Sequence, residues 1–368
     1  MRLVVLSALL LIGCARFSDD SDVSPAVEPV EIVRDADGYD FFWPMSIAED
    51  DGQVFIADFR DCCIHVFDHS MTHLDTIGRK GEGPGEFEAL INIAVGNGVL
   101  AALNLSPPRI SLFSYSGIPI REIPVEVTRW GDVAITDRNT ILLARYARGS
   151  DVFVSEYSAE GEIVGEFLQH SQEADFYASY LYQCRVAHQG SQGYIVFEHL
   201  PRIIVFGESE FDLQHDFNEV YPWFNRLLRM RERIKRKYGR NSFTALATWG
   251  GFVILDDHLV LSGPDYDLLI LDRQTNLVRH LEQGSLGADL SYQHQSTMIK
   301  RSNTLDRSRM GTSVSGIPTY WDGERVGDEV WMLSTMNSCL VRFRIADLLA
   351  AGASGTVIGV TEYTEEDW

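Results

Sequence analysis

Six pairs of short apolar runs recur along the chain and limit its fold more than any other feature. The first runs cover residues 54–57, 99–102, 141–144, 194–197, 259–261 and 330–333, and the second, alternating runs start at Ile64, Ile110, Val152, Ile203, Leu268 and Leu340. Gly, Asp and Asn residues bound the runs, as they do at strand ends. Because few long helical patterns lie between them, the runs predict six copies of one β unit.

The spacing of the copies predicts a β-propeller. Successive second runs start 46, 42, 51, 65 and 72 residues apart. The first three spacings match the period of about 40–50 residues of a four-stranded propeller blade, and insertions at 218–242 and 284–318 account for the longer two. A ring of blades protects the strand edges, whereas a β-sandwich would need closer strands and a smaller chain. We predict an all-β, six-bladed β-propeller over residues 32–368, with one helical insertion.

The amino terminus predicts export and a lipid anchor. Arg2 precedes an apolar run over residues 3–12, which is too short to span a bilayer and is typical of a signal peptide. The run ends in LIGC, which resembles the lipobox of bacterial lipoproteins; the resemblance implies cleavage before Cys14 and lipidation of its thiol. We expect a signal peptide at 1–13, a flexible tether at 14–31 and a location in the bacterial envelope, on the outer membrane or cell surface. An ordinary signal peptide with a chance cysteine is the alternative.

A glycine-rich string, IGRKGEGPGEF, occupies residues 77–87 after the first copy. Its glycines predict a chain reversal from an outer strand to the next inner strand, and Pro84 fixes one φ angle there. No Lys-Ser or Lys-Thr follows, so the string lacks the pattern of a phosphate-binding loop. Together with the preceding VFIADF and IHVFD, it resembles the junction of NHL-type blades in six-bladed β-propeller lipoproteins of Bacteroidota-like bacteria. The resemblance implies the same fold in the same compartment.

The charge of the chain argues against nucleic-acid binding. The net charge is −22, and loss of the signal peptide with Arg2 makes it −23, whereas a nucleic-acid site requires clustered cations. The first insertion is the exception, because residues 226–240 hold eight Lys and Arg against Glu232, at the spacing of an amphipathic helix. Three roles stay open for this helix: docking on the acidic propeller, contact with anionic lipid, or binding of an acidic partner. We expect the protein to be a monomer.

The sequence contains no local motif that identifies catalysis, a cofactor or a metal. It has neither a His-Glu-x-x-His nor a Gly-x-Ser-x-Gly pattern. His65, His69 and His73 are four residues apart, but the first is predicted in a strand and the others near the following turn, so we predict surface roles and no metal site. Besides the lipidated residue, four cysteines remain, without any Cys-x-x-Cys spacing: Cys62, Cys63, Cys184 and Cys339.

The mouth of the propeller channel is where we expect a ligand, since concave sites with converging polar groups are the usual binding sites. The loops that join the second and third strands would offer Arg60, Asn104, Arg145, His199, Asp265 and Asn337. Three tryptophans near the inner-strand starts could stack on a sugar or plug the channel: Trp43, Trp130 and Trp321. We therefore expect a lipid-anchored protein that binds a protein or glycan ligand. The alternative is a propeller enzyme, a metal-assisted hydrolase or lyase, which the NHL-type resemblance suggests.

Overall fold

The computed structural model describes most of the chain between residues 27 and 363. The described ranges are 27–127, 130–145, 152–169, 183–198, 202–207, 213–216, 250–262, 268–273, 277–281, 321–335, 338–354, 356–358 and 361–363. The two predicted insertions, 218–242 and 284–318, lie outside these ranges, as does the predicted signal peptide with Cys14. Among the described residues, no helix combines the length and the apolar character that a membrane span would need.

Three short strands open the described chain and lead into the first three blades. These strands are β1 (Glu31–Val33), β2 (Asp35–Ala36) and β3 (Tyr39–Asp40). Blade one contains β4 (Pro44–Asp50), β5 (Gln53–Asp58), β6 (Cys63–Asp68) and β7 (His73–Ile77); blade two contains β8 (Leu90–Gly96), β9 (Val99–Leu105), β10 (Pro108–Ser114) and β11 (Pro119–Pro124); blade three contains β12 (Gly131–Ile135), β13 (Ile141–Arg145), β14 (Val152–Tyr157) and β15 (Ile163–Gln169).

The other three blades repeat the arrangement, and the last of them joins the two ends of the chain. Blade four contains β16 (Cys184–Gln189), β17 (Gln192–Phe197), β18 (Arg202–Phe206) and β19 (Leu213–Asp216); blade five contains β20 (Phe252–Ile254), β21 (His258–Ser262), β22 (Leu268–Asp272) and β23 (Leu277–Leu281); blade six contains β24 (Asp322–Val326), β25 (Glu329–Ser334), β26 (Cys339–Arg344) and, from the amino terminus, β1. The described residues thus form six blades, which confirms the predicted fold. The predicted pairs of runs are the second and third strands of each blade.

Apolar side chains on both faces of the middle strands hold neighbouring blades together. Strands β6 and β9 are buried along five consecutive residues each, whereas the outer strand β7 is mostly exposed. Successive residues of a strand point to opposite faces, so Ile64 packs toward blade two and Phe67 toward blade six. Burial on both faces explains why the middle strands are continuous apolar runs and the outer strands are not.

The ring is closed by strand β1, which pairs antiparallel with β26 as the outermost strand of blade six. The Nη1 atom of Arg342 lies 2.7 Å from Oε2 of Glu31, and its guanidinium lies 4.8 Å from the ring centroid of Trp331. Val27 is already buried in the apolar cluster between blades five and six. The packed chain therefore begins at least four residues before the end of the predicted tether, 14–31.

The carboxyl terminus covers two blade edges. Helix α1 (Ile345–Ser354) follows β26 directly, and its Leu348 is fully buried in the cluster between blades five and six. Strands β27 (Thr356–Ile358) and β28 (Thr361–Tyr363) then pair with β23 and β19 as fifth strands. Added strands of this kind cover edges that would otherwise expose unpaired backbone groups. The sequence did not predict α1, since its expected helix falls in the insertion 218–242.

The glycine-rich string connects β7 to β8, as predicted. Gly78 has a φ of +80°, and a Cβ there would lie 2.3 Å from the ring of Phe87, so only glycine fits. The buried Arg109 guanidinium donates to three carbonyls of the string, those of Glu82, Gly83 and Glu86, at 3.2, 2.9 and 2.6 Å. A loop that turns its carbonyl oxygens toward a cation is not arranged to hold a phosphate, which instead requires backbone N–H groups.

Candidate functional site

A belt of polar side chains crosses the innermost strands near the starts of four blades. Each of these side chains accepts a hydrogen bond from a backbone N–H of the next blade's innermost strand. The bonds run from Ile93 to Ser46 at 3.2 Å, from Val133 to Asn92 at 3.0 Å, from Val186 to Asp132 at 2.8 Å and, across the ring closure, from Ile47 to Asp322 at 3.0 Å. The belt satisfies buried N–H groups that have no partner within their own sheet.

Blade four carries a cation, Arg185, at the corresponding position. Its Nε donates to Oε1 of Glu198 at 3.1 Å, and its Nη1 lies 3.9 Å from Oδ1 of Asp322. Burial lowers the pKa of Arg185, but Glu198, Asp132 and Asp322 together raise it by more. The second oxygen of Glu198 accepts from Gln183 at 2.6 Å. One buried cation therefore neutralises part of the charge of three surrounding carboxyl groups.

Those carboxyl groups bind protons more tightly than free carboxylates. Burial raises the pKa of Asp132 to about 7, against the lowering effect of Arg185. Burial also raises the pKa of Glu198 and of Asp322. Farther along the channel, burial raises the pKa of Glu324 to about 8, helped by the charge of Asp322. Perturbed carboxyl groups that converge in a concavity are a common feature of functional sites.

Two of the three predicted tryptophans lie together above Arg185. Trp130 precedes β12 and Trp321 precedes β24, and their ring centroids are 5.4 Å apart at an angle of 54°. The Arg185 guanidinium lies 5.2 Å from the Trp321 ring centroid, within cation–π range. Trp130 is 40 % exposed. The third, Trp43, packs instead against Phe59 in blade one, with centroids 6.2 Å apart.

The belt around Arg185 separates two concavities. The upper one has a volume of about 20 Å³ and is lined by both tryptophans, Arg145 and Glu198, so it holds about one water molecule. The lower one has a volume of about 330 Å³ and extends along the channel to His188 and Glu324. Asn92, Asp132 and Arg185 line both. The space beneath the rings is therefore too small for a ligand larger than a water molecule.

Among the predicted binding residues, Arg145 lines this site. It is buried, with Nη1 3.9 Å from Glu126 and Nη2 3.8 Å from Glu166, while its Nε has no hydrogen-bond partner in the described structure. Asn104 instead holds a turn, since its Oδ1 accepts from the N–H groups of Glu88 and Ala89. Arg60 is exposed on the turn before β6. His199, Asp265 and Asn337 lie outside the described residues.

Sequence reasoning did not find Arg185, Glu198 or the belt. It identified the second and third strands but not the innermost ones, whose apolar pattern is interrupted by polar residues such as Ser46 and Asn92. The available signal was a polar residue seven to nine positions before the second strand of a blade, such as Asn92, Asp132 and Arg185. Only the closed ring turns those scattered positions into one site.

The histidines and cysteines of blade one lie apart from this site. His69 is 3.0 Å from Glu49, and His73 stacks on Tyr39 with centroids 3.9 Å apart. His65 is in strand β6, as predicted, but the expected surface role is wrong for it because it is buried. Burial lowers the pKa of His65 and raises that of Cys63 to about 12. All four described cysteines are buried free thiols: Cys62, Cys63, Cys184 and Cys339.

Comparisons with solved structures agree with the fold. The chain is similar to a candidate exported protein of Bacteroides fragilis NCTC 9343, with 13 % identity, a TM-score of 0.51 and coverage of 94 % of this chain and 93 % of that one. It is also similar to virginiamycin B lyase from Staphylococcus aureus, with 10 % identity, a TM-score of 0.48 and coverage of 85 % and 97 %. A protein of unknown function from Bacteroides thetaiotaomicron VPI-5482 matches with 11 % identity, a TM-score of 0.47 and coverage of 86 % and 75 %.

No protein-family model matches the chain, and no curated protein matches its sequence. At 13 % identity, the similarity to the Bacteroides fragilis protein supports the propeller fold alone. The NHL-type repeat, the lipid anchor and the ligand stay predictions.

Proposed function

We propose that the protein is a lipid-anchored β-propeller of the bacterial envelope that binds a glycan across Trp130 and Trp321 at the channel mouth. The observation that carries the proposal is the partly exposed Trp130 ring, which adjoins Trp321 at 5.4 Å. An exposed apolar surface that is rimmed by polar residues is typical of a binding groove. The envelope location rests on the signal peptide and the lipobox-like residues before Cys14.

The chemistry of the surrounding residues favours a sugar over an apolar ligand. A pyranose presents C–H groups on one face, which suit an aromatic ring, and hydroxyl groups at its edge, which need hydrogen-bond partners. Gln183, Glu198 and Arg145 line the same mouth, so polar side chains adjoin the aromatic pair. Arg185 holds the Trp321 ring in place from beneath, so the platform is pre-organised.

The enzyme alternative receives no such support from the described residues. Metal-assisted catalysis at the channel would require carboxylates that converge on an open coordination position. Asp132 and Asp322 instead accept backbone N–H groups of neighbouring blades, and Glu198 accepts from Arg185 and Gln183. These hydrogen bonds hold the carboxyl groups in a rigid framework beneath the proposed binding surface.

We expect Trp130→Ala to weaken glycan binding by about five- to tenfold, because the loss of one stacking contact of roughly 1–1.5 kcal/mol corresponds to that change. The measurement is a screen of the detergent-solubilised protein on an array of neutral and acidic oligosaccharides, followed by titration of each hit. Phe42→Ala is the matched control, since Phe42 is 47 % exposed but lies outside the residues that line the mouth. If the wild type binds no oligosaccharide, or if both variants bind equally well, the proposed glycan site is wrong. If the wild type binds a protein and no oligosaccharide, the ligand is a protein and not a glycan.

We expect Cys14→Ala to leave the protein exported but no longer held in membranes. The lipid is the attachment that the lipobox-like residues predict, and loss of the thiol removes the atom that carries it. Detergent phase partitioning of cell fractions measures the change, with Cys62→Ala as a control that keeps Cys14. If the Cys14→Ala protein still enters the detergent phase, the anchor does not depend on this residue.

A further inference from the structure

A carboxylate, a thiol and an imidazole meet at the start of strand β6 in blade one. Cys63 Sγ lies 3.5 Å from Nε2 of His65, and the same nitrogen lies 3.6 Å from Oδ2 of Asp61. The ligand atoms of the three residues all lie within 4.8 Å of one another. Among the described residues, this is the one group of three His, Cys, Asp or Glu side chains that is close enough to hold a metal ion.

The local structure explains why the three side chains meet. Cys63 and His65 are alternate residues of one strand and therefore point to the same face. Asp61 lies on the turn before that strand, where Asp58 fixes the backbone: Oδ1 of Asp58 accepts from the N–H groups of Arg60 and Asp61 at 2.9 and 3.2 Å. The arrangement thus follows from strand register and a tight turn.

The distances match those between the ligands of a tetrahedral zinc ion. With Zn–S of about 2.3 Å and Zn–N or Zn–O of about 2.0–2.1 Å, tetrahedral angles place sulfur and nitrogen about 3.5 Å apart and nitrogen and oxygen about 3.3 Å apart. The first separation is 3.5 Å and the second 3.6 Å. The remaining separation, from Asp61 to Cys63, is the one that side-chain rotation can adjust, because the Asp61 side chain is 33 % exposed.

The chemistry of the three side chains suits a metal ion. His65 is buried, and its Nε2 faces both Asp61 and Cys63. Tyr39 packs against the imidazole at an angle of 56°, with ring centroids 5.1 Å apart. A thiol with imidazole and carboxylate suits a borderline-soft divalent ion, and the exposed Asp61 provides the path of entry.

We propose that Asp61, Cys63 and His65 bind one divalent transition-metal ion of the Zn²⁺ class. Three protein ligands leave the fourth tetrahedral position for water or an added ligand. The bound ion connects the turn that carries Arg60 to the face of β6 that packs toward blade six. This site is independent of the glycan site, which lies over blades three, four and six.

Cobalt provides the test, because a thiolate bound to Co²⁺ gives a charge-transfer band in the near ultraviolet and tetrahedral Co²⁺ gives intense visible bands. The detergent-solubilised full-length protein is reduced, stripped with EDTA and titrated with Co²⁺, then with Zn²⁺ in competition. We expect one Co²⁺ per chain with the thiolate band, and displacement by Zn²⁺. A wild-type protein that shows no thiolate band overturns the proposal, whatever the variants do.

The chain offers a matched control for two of the ligands. We expect Cys63→Ser to abolish the thiolate band, and His65→Gln and Asp61→Asn to weaken Co²⁺ binding by more than the roughly 10- to 100-fold that loss of a partner outside the ligand set costs. Cys62→Ser and His69→Gln should bind as the wild type does, since Cys62 contacts the Phe59 carbonyl and His69 contacts Glu49. A band that survives in Cys63→Ser but is lost in Cys62→Ser would overturn the assignment. Circular dichroism of each variant establishes that it is folded.

Discussion

Replacing Arg185 with Met is expected to lower the free energy of unfolding by about 3–5 kcal/mol near pH 8, because removal of one partner leaves buried charges without compensation. Asp132, Glu198 and Asp322 surround the guanidinium, and each would lose the cation whose charge lowers its pKa. The side chain of Met is similar in volume, so the loss reports charge more than packing. Urea unfolding followed by tryptophan fluorescence measures the difference. Arg79→Met is the control, since the 80 % exposed Arg79 side chain should contribute little.

The effect of Arg185→Met should depend on pH in a defined direction. A carboxyl group whose pKa is raised by folding stabilises the native state below its unfolded pKa, and this contribution is lost as the pH rises through the folded value. For Asp132 the window runs from its ordinary value of 3.8 to about 7. Without Arg185 the folded pKa rises further, so the destabilisation should be smaller at pH 5 than at pH 8. Equal losses at both pH values would mean that packing, not charge, is the role of Arg185.

Asp132→Asn separates the contribution of the Asp132 carboxyl group to the pH dependence of stability from that of the other carboxyl groups. The amide oxygen can still accept from the Val186 N–H, which bonds Asp132 at 2.8 Å, but the group no longer titrates. The decline in stability between about pH 4 and pH 7 should therefore become shallower, by up to about 1.4 kcal/mol per pH unit for one proton.

The second large effect is expected at the closure of the ring. Val33→Asp places a charge in the apolar cluster between blades six and one, where Val33 is 8 % exposed near Phe67 and Trp331. An uncompensated buried charge lowers the free energy of unfolding by roughly 3–5 kcal/mol. In Val33→Asp this charge lies on β1, the strand that joins the two ends of the chain. Val30→Asp is the matched control, because Val30 lies three residues earlier and is 43 % exposed.

Thermal unfolding and limited proteolysis measure the consequence of Val33→Asp. A strand β1 that detaches from β26 leaves the edge of blade six unpaired, so the variant should melt earlier and be cleaved near residue 33 before the other blades are cut. If Val33→Asp and Val30→Asp melt alike, the pairing of β1 with β26 does not carry the closure.

The number of blades and the positions of their middle strands could be predicted from the sequence. Runs such as 54–57 and 99–102 are apolar on both faces because both faces are covered by neighbouring blades, and that burial leaves a local pattern that repeats. The turn at the glycine string 77–87 could also be predicted, because a positive φ such as that of Gly78 favours glycine at that position whatever the rest of the chain does. Outer strands such as β7, which are largely exposed, left no comparable pattern.

The closure of the ring and the convergence of its polar groups could not be predicted from the sequence. The N–H of Ile47 bonds the carboxylate of Asp322 across 275 residues, and β1 pairs with β26 across more than 300 positions, so no local spacing indicates either contact. Arg185 meets Trp321 and Asp322 for the same reason, because one residue from each of several blades reaches the axis. The Asp61, Cys63 and His65 group is local, yet its alternation was hidden by the more conspicuous four-residue spacing of the histidines. Burial of a strand produces a local periodic pattern of apolar residues in the sequence. Contacts across a closed ring join residues far apart in the chain, so no single segment of the sequence indicates them.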